Sequence, residues 1–322
     1  MKKNLVPLLL IALLILDCRK GENPELQTTD ISDITSSSCR SGGEIISDGG
    51  RPILVKGVCW ISAQERWGRG TEPTIDDQKS IDGTGSDSFT SNIFNLNPGT
   101  TYYIRSFATN KSGTGYGPEK TFKTSEIVTD IDGNVYGVVR IGSQTWMNEN
   151  LKVTRYRDGS VIPLVSNASV WRSTSTGAYC LYNNDNANNA IYGSLYNWHA
   201  VINPKGLCPT GWHVPANSEL TTLTTYLGGQ EIAGSKMNES GTKHWSSPNI
   251  GSDDSKGFSA RGAGYRDMNG IFSQLMEVGY IWSSSEYSPT HGISRKLYHD
   301  NPVISFSGNS KNSGFSVRCI KD

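Results

Sequence analysis

A single apolar run, "LLLIALLIL" between Pro7 and Asp17, sets the first constraint on this chain. With its flanks it holds about a dozen apolar residues, whereas a helix crossing a bilayer's hydrocarbon core needs about 20. It is therefore too short to span, and Lys2 and Lys3 before it with Cys18 after it give the layout of an export signal rather than of a core helix. Downstream the apolar runs are short and interrupted, and 35 glycines accompany abundant Ser, Thr and Asn. Such a chain is expected to build strands and loops, not a helical bundle. With 30 basic and 30 acidic residues it has no charge excess that would capture nucleic acid.

The N terminus resembles a bacterial lipoprotein signal. That resemblance implies removal of residues 1–17, acylation of Cys18 and a short anchor linker over 18–23, placing the chain at the outer membrane or cell surface with the membrane as a partner through its lipid. Six cysteines in an exported chain make disulfides expected.

Residues 24–125 carry short β-rich runs at the spacing of an antiparallel sandwich. "CRSGGEII" and "ILVKGVCWI" flank the turn "SDGGRP" and are expected to form a hairpin; counting outward sets Cys39 and Cys59 nearly opposite, within disulfide reach if a bulge absorbs one residue. Two buried free thiols are the alternative. Trp60 and Trp67 fit core or edge packing better than a sugar platform. Leu96, Pro98, Thr100 and Tyr102, in "LNPGTTYYIRSFATNKSGTGYGPEKTF", resemble a fibronectin type III-like domain, which implies that Tyr102 plugs the core and returns its hydroxyl to the backbone.

Beyond residue 126 the composition changes, with six of eight tryptophans and eleven of fourteen tyrosines following Asp130. Asp132, Gly133 and Asn134 make a turn before the alternating run Val135, Gly137, Val139 and Ile141, expected to be a hairpin. "SLYNWHAVI" and "NSELTTLTTYLGG" read as helices, the second capped by Asn217 and stopped by Gly228. The ordered motifs "GSQTWMNENL", "GAYCLYNND", "YGSLYNWHAV", "LCPTGWHVP", "GFSARGAGYRD", "YIWSSSE" and "GFSVRCIKD" closely resemble the Fibrobacter succinogenes major paralogous domain, over about residues 130–322. This implies a domain of exported bacterial surface lipoproteins. More distantly, "WHVPANSEL" and the terminal "GFSVRC" are similar to the C-type-lectin-like fold of formylglycine-generating enzymes. The expected architecture is α+β: an N-terminal all-β sandwich at 24–125, then a C-type-lectin-like, formylglycine-generating-enzyme-like α+β domain at 127–322.

The chemistry-bearing residues do not form a known catalytic pattern. The copper oxidases of the distant relatives need a cysteine pair that Cys180, Cys208 and Cys319 do not match. The calcium motifs of lectins are absent, and "YNNDNANN", around Asp185, reads as an Asn-rich turn. No paired histidine spacing and no G-x-S-x-G elbow occurs. Glu149, Glu219, Glu277 and Glu286 would make a hydrolytic pair only if folding brought two of them together. No catalytic residue, metal ligand or cofactor is therefore assigned. Trp282, Glu286 and Tyr287, in "IWSSSEYSP", are the candidate ligand-binding cluster. Cys208 with Cys319 is the favoured disulfide, since closing a loop of about a hundred residues is worth about 4 to 5 kcal/mol in the chain-entropy model. Cys180 then stays buried and unpaired.

The expected function is a lipid-anchored, non-enzymatic surface binding or adhesion protein for a glycan or surface protein. An enzyme acting on extracellular polysaccharide or envelope material, and a structural or fimbria-associated component, are the alternatives. Labelled palmitate should enter the protein and should fail to enter a Cys18→Ser variant; incorporation into neither, with recovery from the cytosol, would contradict the anchor.

Overall fold

A computed structural model describes residues 21–322, so the signal run and Cys18 lie outside the described residues. The structure is mostly β with few and short helices. It divides into two compact units that meet in sequence between Thr124 and Ser125.

In the first unit, β1 (Glu25–Thr28), β2 (Cys39–Ser47) and β5 (Phe89–Ile93) form one antiparallel sheet, in the order β1-β2-β5. The second sheet runs β4 (Gln78–Lys79), β3 (Val55–Ser62), β6 (Thr101–Asn110), β7 (Gly113–Tyr116), with β8 (Lys120–Lys123) also on β6; α1 (Ala63–Trp67) follows β3. Two such sheets enclosing one core make a fibronectin type III-like sandwich. Tyr102 is buried against Phe122, and its hydroxyl accepts the Asn97 backbone N–H at 2.9 Å, closing the tyrosine corner.

The expected hairpin across "SDGGRP" does not form, because β2 and β3 belong to different sheets. The bridge expected between Cys39 and Cys59 falls with it, and both thiols are free and buried. Strand alternation supplies the reason: Cys39 enters the core shared with Val58 and Trp60, so Cys59, between those two, points out of the other face of β3. Burial pushes the thiol of Cys39 up to about 11 and that of Cys59 to about 12. Trp60 is buried with its indole N–H on Gln78, while Trp67 is exposed, so the two tryptophans form no platform.

The second unit opens with β9 (Ile127–Thr129) and β10 (Val135–Ile141), which pair as the expected hairpin. The Asp130 carboxylate accepts the N–H groups of Asp132 and Asn134 and the Tyr136 hydroxyl, and Gly133 takes a φ of 83°. A side chain thus holds the turn before the strands pair. After β11 (Gln144–Met147) come α2 (Ala168–Ser173), β12 (Tyr179–Cys180), α3 (Asn186–Tyr192), β13 (Leu195–Tyr196), α4 (Trp198–Val201) and β14 (Trp212–His213). The helix expected over "SLYNWHAVI" shrinks to α4. Asn197 starts it late, its side-chain oxygen accepting both Ala200 and Ala178 N–H, while Leu195 and Tyr196 are held in β13.

α5 (Asn217–Tyr226) matches the second expected helix, but Asn217 lies within it rather than capping it; Glu219 turns back to the Ala216 N–H instead. Leu220 and Leu223 face the core, and α6 (Gln230–Met237) follows Gly228 and Gly229, both with positive φ. Then come β15 (Tyr265–Arg266), β16 (Phe272–Ser273), β17 (Val278–Ser288), β18 (His291–Tyr298), β19 (Ser305–Ser310) and β20 (Ile320–Lys321). Five strands order as β14-β20-β11-β10-β9, and three as β17-β18-β19.

The C-terminal segment joins these sheets. Met147 N–H donates to Cys319 O, Leu151 N–H to Val317 O, and Trp282 N–H to Ser316 O. The Cys208–Cys319 disulfide, between residues 111 apart in sequence, fixes it beside the start of β14. Cys180 is free and fully buried, its thiol pushed by burial to about 12. Among the described residues no helix is long and apolar enough to cross a membrane.

His213 ties the terminus to α5: Nδ1 meets the Asp322 carboxylate at 2.6 Å and Nε2 meets Glu219 at 2.9 Å. Burial alone would lower this imidazole, but the hydrogen bonds to Asp322 and Glu219 outweigh it and raise it above the ordinary value. A raised histidine stabilises fully below its unfolded value of about 6.5 and loses that contribution as pH rises through the folded one. With the ring 41% exposed, the contribution is below about 1 kcal/mol. Melting temperature should therefore fall slightly between about pH 6 and 8, and Asp322→Asn should flatten that slope; equal slopes in both proteins would remove His213 as the cause.

Candidate ligand-binding cleft

The site begins with strand alternation. On β18, Arg295 and Leu297 share one face, and this face is covered by α5 and α6. Leu297 enters an apolar cluster with Ile281, Ile304, Leu220 and Leu223, as the position requires. Arg295, two residues earlier, places a guanidinium where an apolar side chain would be expected, and it is only 5% exposed.

Its surroundings hold it without neutralising it. One terminal nitrogen donates to Thr221 Oγ1 at 3.0 Å, and the guanidinium carbon sits 5.0 Å from the Phe306 ring centroid. Phe306 is the residue paired with Arg295 across β18 and β19, which puts the two on one face. The other terminal nitrogen is buried with no acceptor, and among the described residues no carboxylate forms an ion pair with it. Burial accordingly lowers the Arg295 guanidinium from its usual value.

Around it opens a cleft of about 310 Å³, lined by Asn217, Thr221, Thr224 and Thr225 of α5, Gly229 and Gln230 at the start of α6, and Arg295, Ile304 and Phe306. Asn217 Oδ1, on the same cleft, is likewise buried without a partner. Two residues lining this cleft thus carry an unused donor and an unused acceptor, both buried atoms, each costing about 1 to 3 kcal/mol if left dry. Phe306 stays 49% exposed and offers an apolar surface at the rim. The backbone beneath is fixed closely: a Cβ at Gly234 of α6 would come within 2.6 Å of Val303 O, just before β19. Glycine alone lets α6 lie that near.

The residues expected to bind ligand are not brought together. Trp282 is fully buried, stacked near Phe315 with its indole N–H donating to Tyr196 O, because it lies on the core face of β17. Glu286 is exposed and paired with Lys311, and Tyr287, 60% exposed, lies over Gly308. The register shifts between Trp282 and Glu286, so sequence spacing along β17 does not report which side chains share a face.

Three of the unit's acids are engaged internally. Glu149 pairs with Lys152, and Glu219 with His213. Asp185 caps α3 at the Ala187 N–H. A second concavity of about 280 Å³ is lined by Arg157, whose guanidinium is spent on the carbonyls of Cys208 and Trp212. Among the described residues no three His, Cys, Asp or Glu side chains are grouped to hold a metal.

Arg295 was missed from sequence because nothing marked it as unpaired. The signal available was the alternation "ISRKLY", in which an arginine takes an inward position between Ile293 and Leu297. A group retained for binding rather than for folding predicts an asymmetry: Arg295→Met, which keeps the stem and removes the charge, should leave stability unchanged or raise it by up to about 2 kcal/mol in urea unfolding. A loss of more than about 1 kcal/mol would mark Arg295 as structural.

The family model described as the Fibrobacter succinogenes major domain matches residues 139–321. No curated protein matches the chain. Similar solved structures include a set of consecutive titin domains, 20% identical over 32% of this chain and 33% of that one, with a TM-score of 0.24, so the chain spans about a third of that titin structure. A fibronectin type III domain of human collagen XX is 20% identical over 33% of this chain and 97% of that one, with a TM-score of 0.24. The sensor domain of the anti-sigma factor RsgI4 of Pseudobacteroides cellulosolvens is 18% identical over 32% and 95%, with a TM-score of 0.23.

Proposed function

Since the chain belongs to the Fibrobacter succinogenes major domain family, a bacterial surface-associated domain, we propose that it is a non-enzymatic surface binding protein whose ligand is a saccharide. The cleft between α5, β18 and β19 is its binding site, the second unit a C-type-lectin-like head, and Cys18 its lipid attachment.

The observation that carries this reading is the pairing of unmet polar atoms with an exposed ring in one cleft: one terminal nitrogen of Arg295 and Oδ1 of Asn217, both buried and without a partner, and Phe306 half open to solvent. A saccharide presents an apolar face to an aromatic ring and hydroxyls to amides and guanidinium groups, so both kinds of surface are satisfied when water leaves. The lectin-like reading draws support from the α5–α6 pair packed on the β17–β18 sheet, and from the terminal strand β20 inserted between β14 and β11. The non-enzymatic reading draws support from three of the four candidate glutamates, Glu149, Glu219 and Glu286, which are paired with Lys152, His213 and Lys311, while Glu277 is exposed.

Glycan-array binding by the full chain, with and without a calcium chelator, tests it. Binding that survives chelation and is lost in Phe306→Ala is the expected result. No binding to any polysaccharide or host glycan contradicts it, and release of new reducing ends from a bound polysaccharide would favour a hydrolase instead.

A further inference from the structure

We infer that the cleft is specific for an acidic sugar, a uronate whose carboxylate is clamped by Arg295; this rests on the saccharide reading above and narrows its ligand class. Three observations lead there, and they are independent of the family.

The first is the charge itself. Arg295 is 95% removed from solvent by its 5% exposure, yet no acidic side chain of the described residues pairs with it. The contrast is inside the same unit. Arg318, fully buried, spends both terminal nitrogens on Phe258 O, Asn150 Oδ1 and Ser259 O and leaves only its Nε without an acceptor, and Arg266 spends its donors on Gly270, Val165 and Ser166 carbonyls. Those two stitch loops together. Arg295 meets one hydroxyl and leaves a terminal nitrogen with nothing. A neutral sugar would satisfy that nitrogen with dipoles, as carbonyls do for Arg266 and Arg318, whereas an anion would satisfy it and offset the buried charge as well.

The second is geometry. The guanidinium is pinned between Thr221 and the ring of Phe306, so its free edge is held in a fixed direction rather than carried on a mobile stem. A planar fork held in place suits a planar carboxylate, which can accept two parallel N–H groups. The third is the neighbouring acceptor. Asn217 Oδ1 lies unmatched on the same wall, and a carboxylate alone cannot fill it, because it has no proton to give. A molecule with both an anionic oxygen and hydroxyl donors can. Phe306 leaves room at the rim for the apolar face of the same ring. An acidic peptide offers the carboxylate without that hydroxyl-rich ring.

The test is calorimetric titration of the full chain with galacturonate, glucuronate and mannuronate oligosaccharides, their methyl esters, neutral oligosaccharides of equal length and a glutamate-rich peptide. At least one uronate should bind about tenfold or more tightly than its ester, weakening as salt rises. Arg295→Gln should lose that preference, so that acid and ester bind alike, and Arg295→Lys should restore only part of it. Thermal unfolding of both variants like that of the parent makes the comparison one of binding. Equal affinity for acid and ester, or an acid preference that survives Arg295→Gln, overturns the uronate inference while leaving the saccharide reading intact. Binding of the peptide as tight as that of the best uronate overturns it in favour of a protein ligand. No binding by any saccharide removes the saccharide reading and this inference together.

Discussion

The second unit depends on its last few residues being held in the middle of the domain. The segment from Phe315 to Ile320 exchanges backbone hydrogen bonds with Tyr196, with Met147 and Leu151, and with Trp282, which belong to three separate stretches of chain. It could fray at little cost if it ended free, since termini are the least anchored parts of most domains. Two devices prevent that. The Cys208–Cys319 disulfide closes a loop spanning more than half the unit, and Arg318, buried to 0% exposure, is stacked on Phe258 and donates to the carbonyls of Phe258 and Ser259 and to Asn150 Oδ1. The guanidinium acts here as a multi-toothed donor whose charge is spread over backbone dipoles.

That seam is what places the cleft. β17 is registered against the segment through Trp282 and Ser316, β18 is registered against β17, and Arg295 and Phe306 take their common face from the β18–β19 pairing. The floor of the site is therefore a paired sheet and its wall a helix packed on that sheet, not a mobile loop. A rigid mounting matters for a guanidinium that carries no counter-charge, because an alternative rotamer reaching water would be favoured if the surroundings yielded. Thr221 and Phe306 restrict that escape. The energetic penalty is local and is set against the buried apolar cluster next to it, with Leu297, Ile281 and Trp146.

Much of the scaffold was legible wherever a short local signal carried the physics. The turn at Asp132, Gly133 and Asn134 and the α5 stripe of Leu220 and Leu223 follow from spacing, the Tyr102 corner from the fibronectin type III-like resemblance, and the disulfide from Cys208 to Cys319 from loop length, and the structure contains each. What failed was non-local. Cys39 and Cys59 look opposed across a glycine turn, but the chain changes sheets there, and alternation then sends the two thiols to different faces. Trp282 sits beside polar residues in "IWSSSE" and reads as surface; its partners Phe315 and Tyr196 come from distant segments. The cleft was the least legible of all. Its value lies in partners that Arg295 and Asn217 lack, and a missing partner leaves no mark in one sequence.

The claim at the centre of this account is that the unpartnered donor of Arg295 is the contact point for a ligand's anionic oxygen. Nitrogen-15 NMR of the arginine side chains during titration with the best-binding uronate oligosaccharide observes that contact directly. The Arg295 Nε–Hε resonance and the Asn217 side-chain amide should shift together and saturate, while those of Arg266 and Arg318 stay in place. Saturable shifts confined to other residues, such as Trp198 and its neighbour Lys311, with Arg295 unmoved, would contradict it.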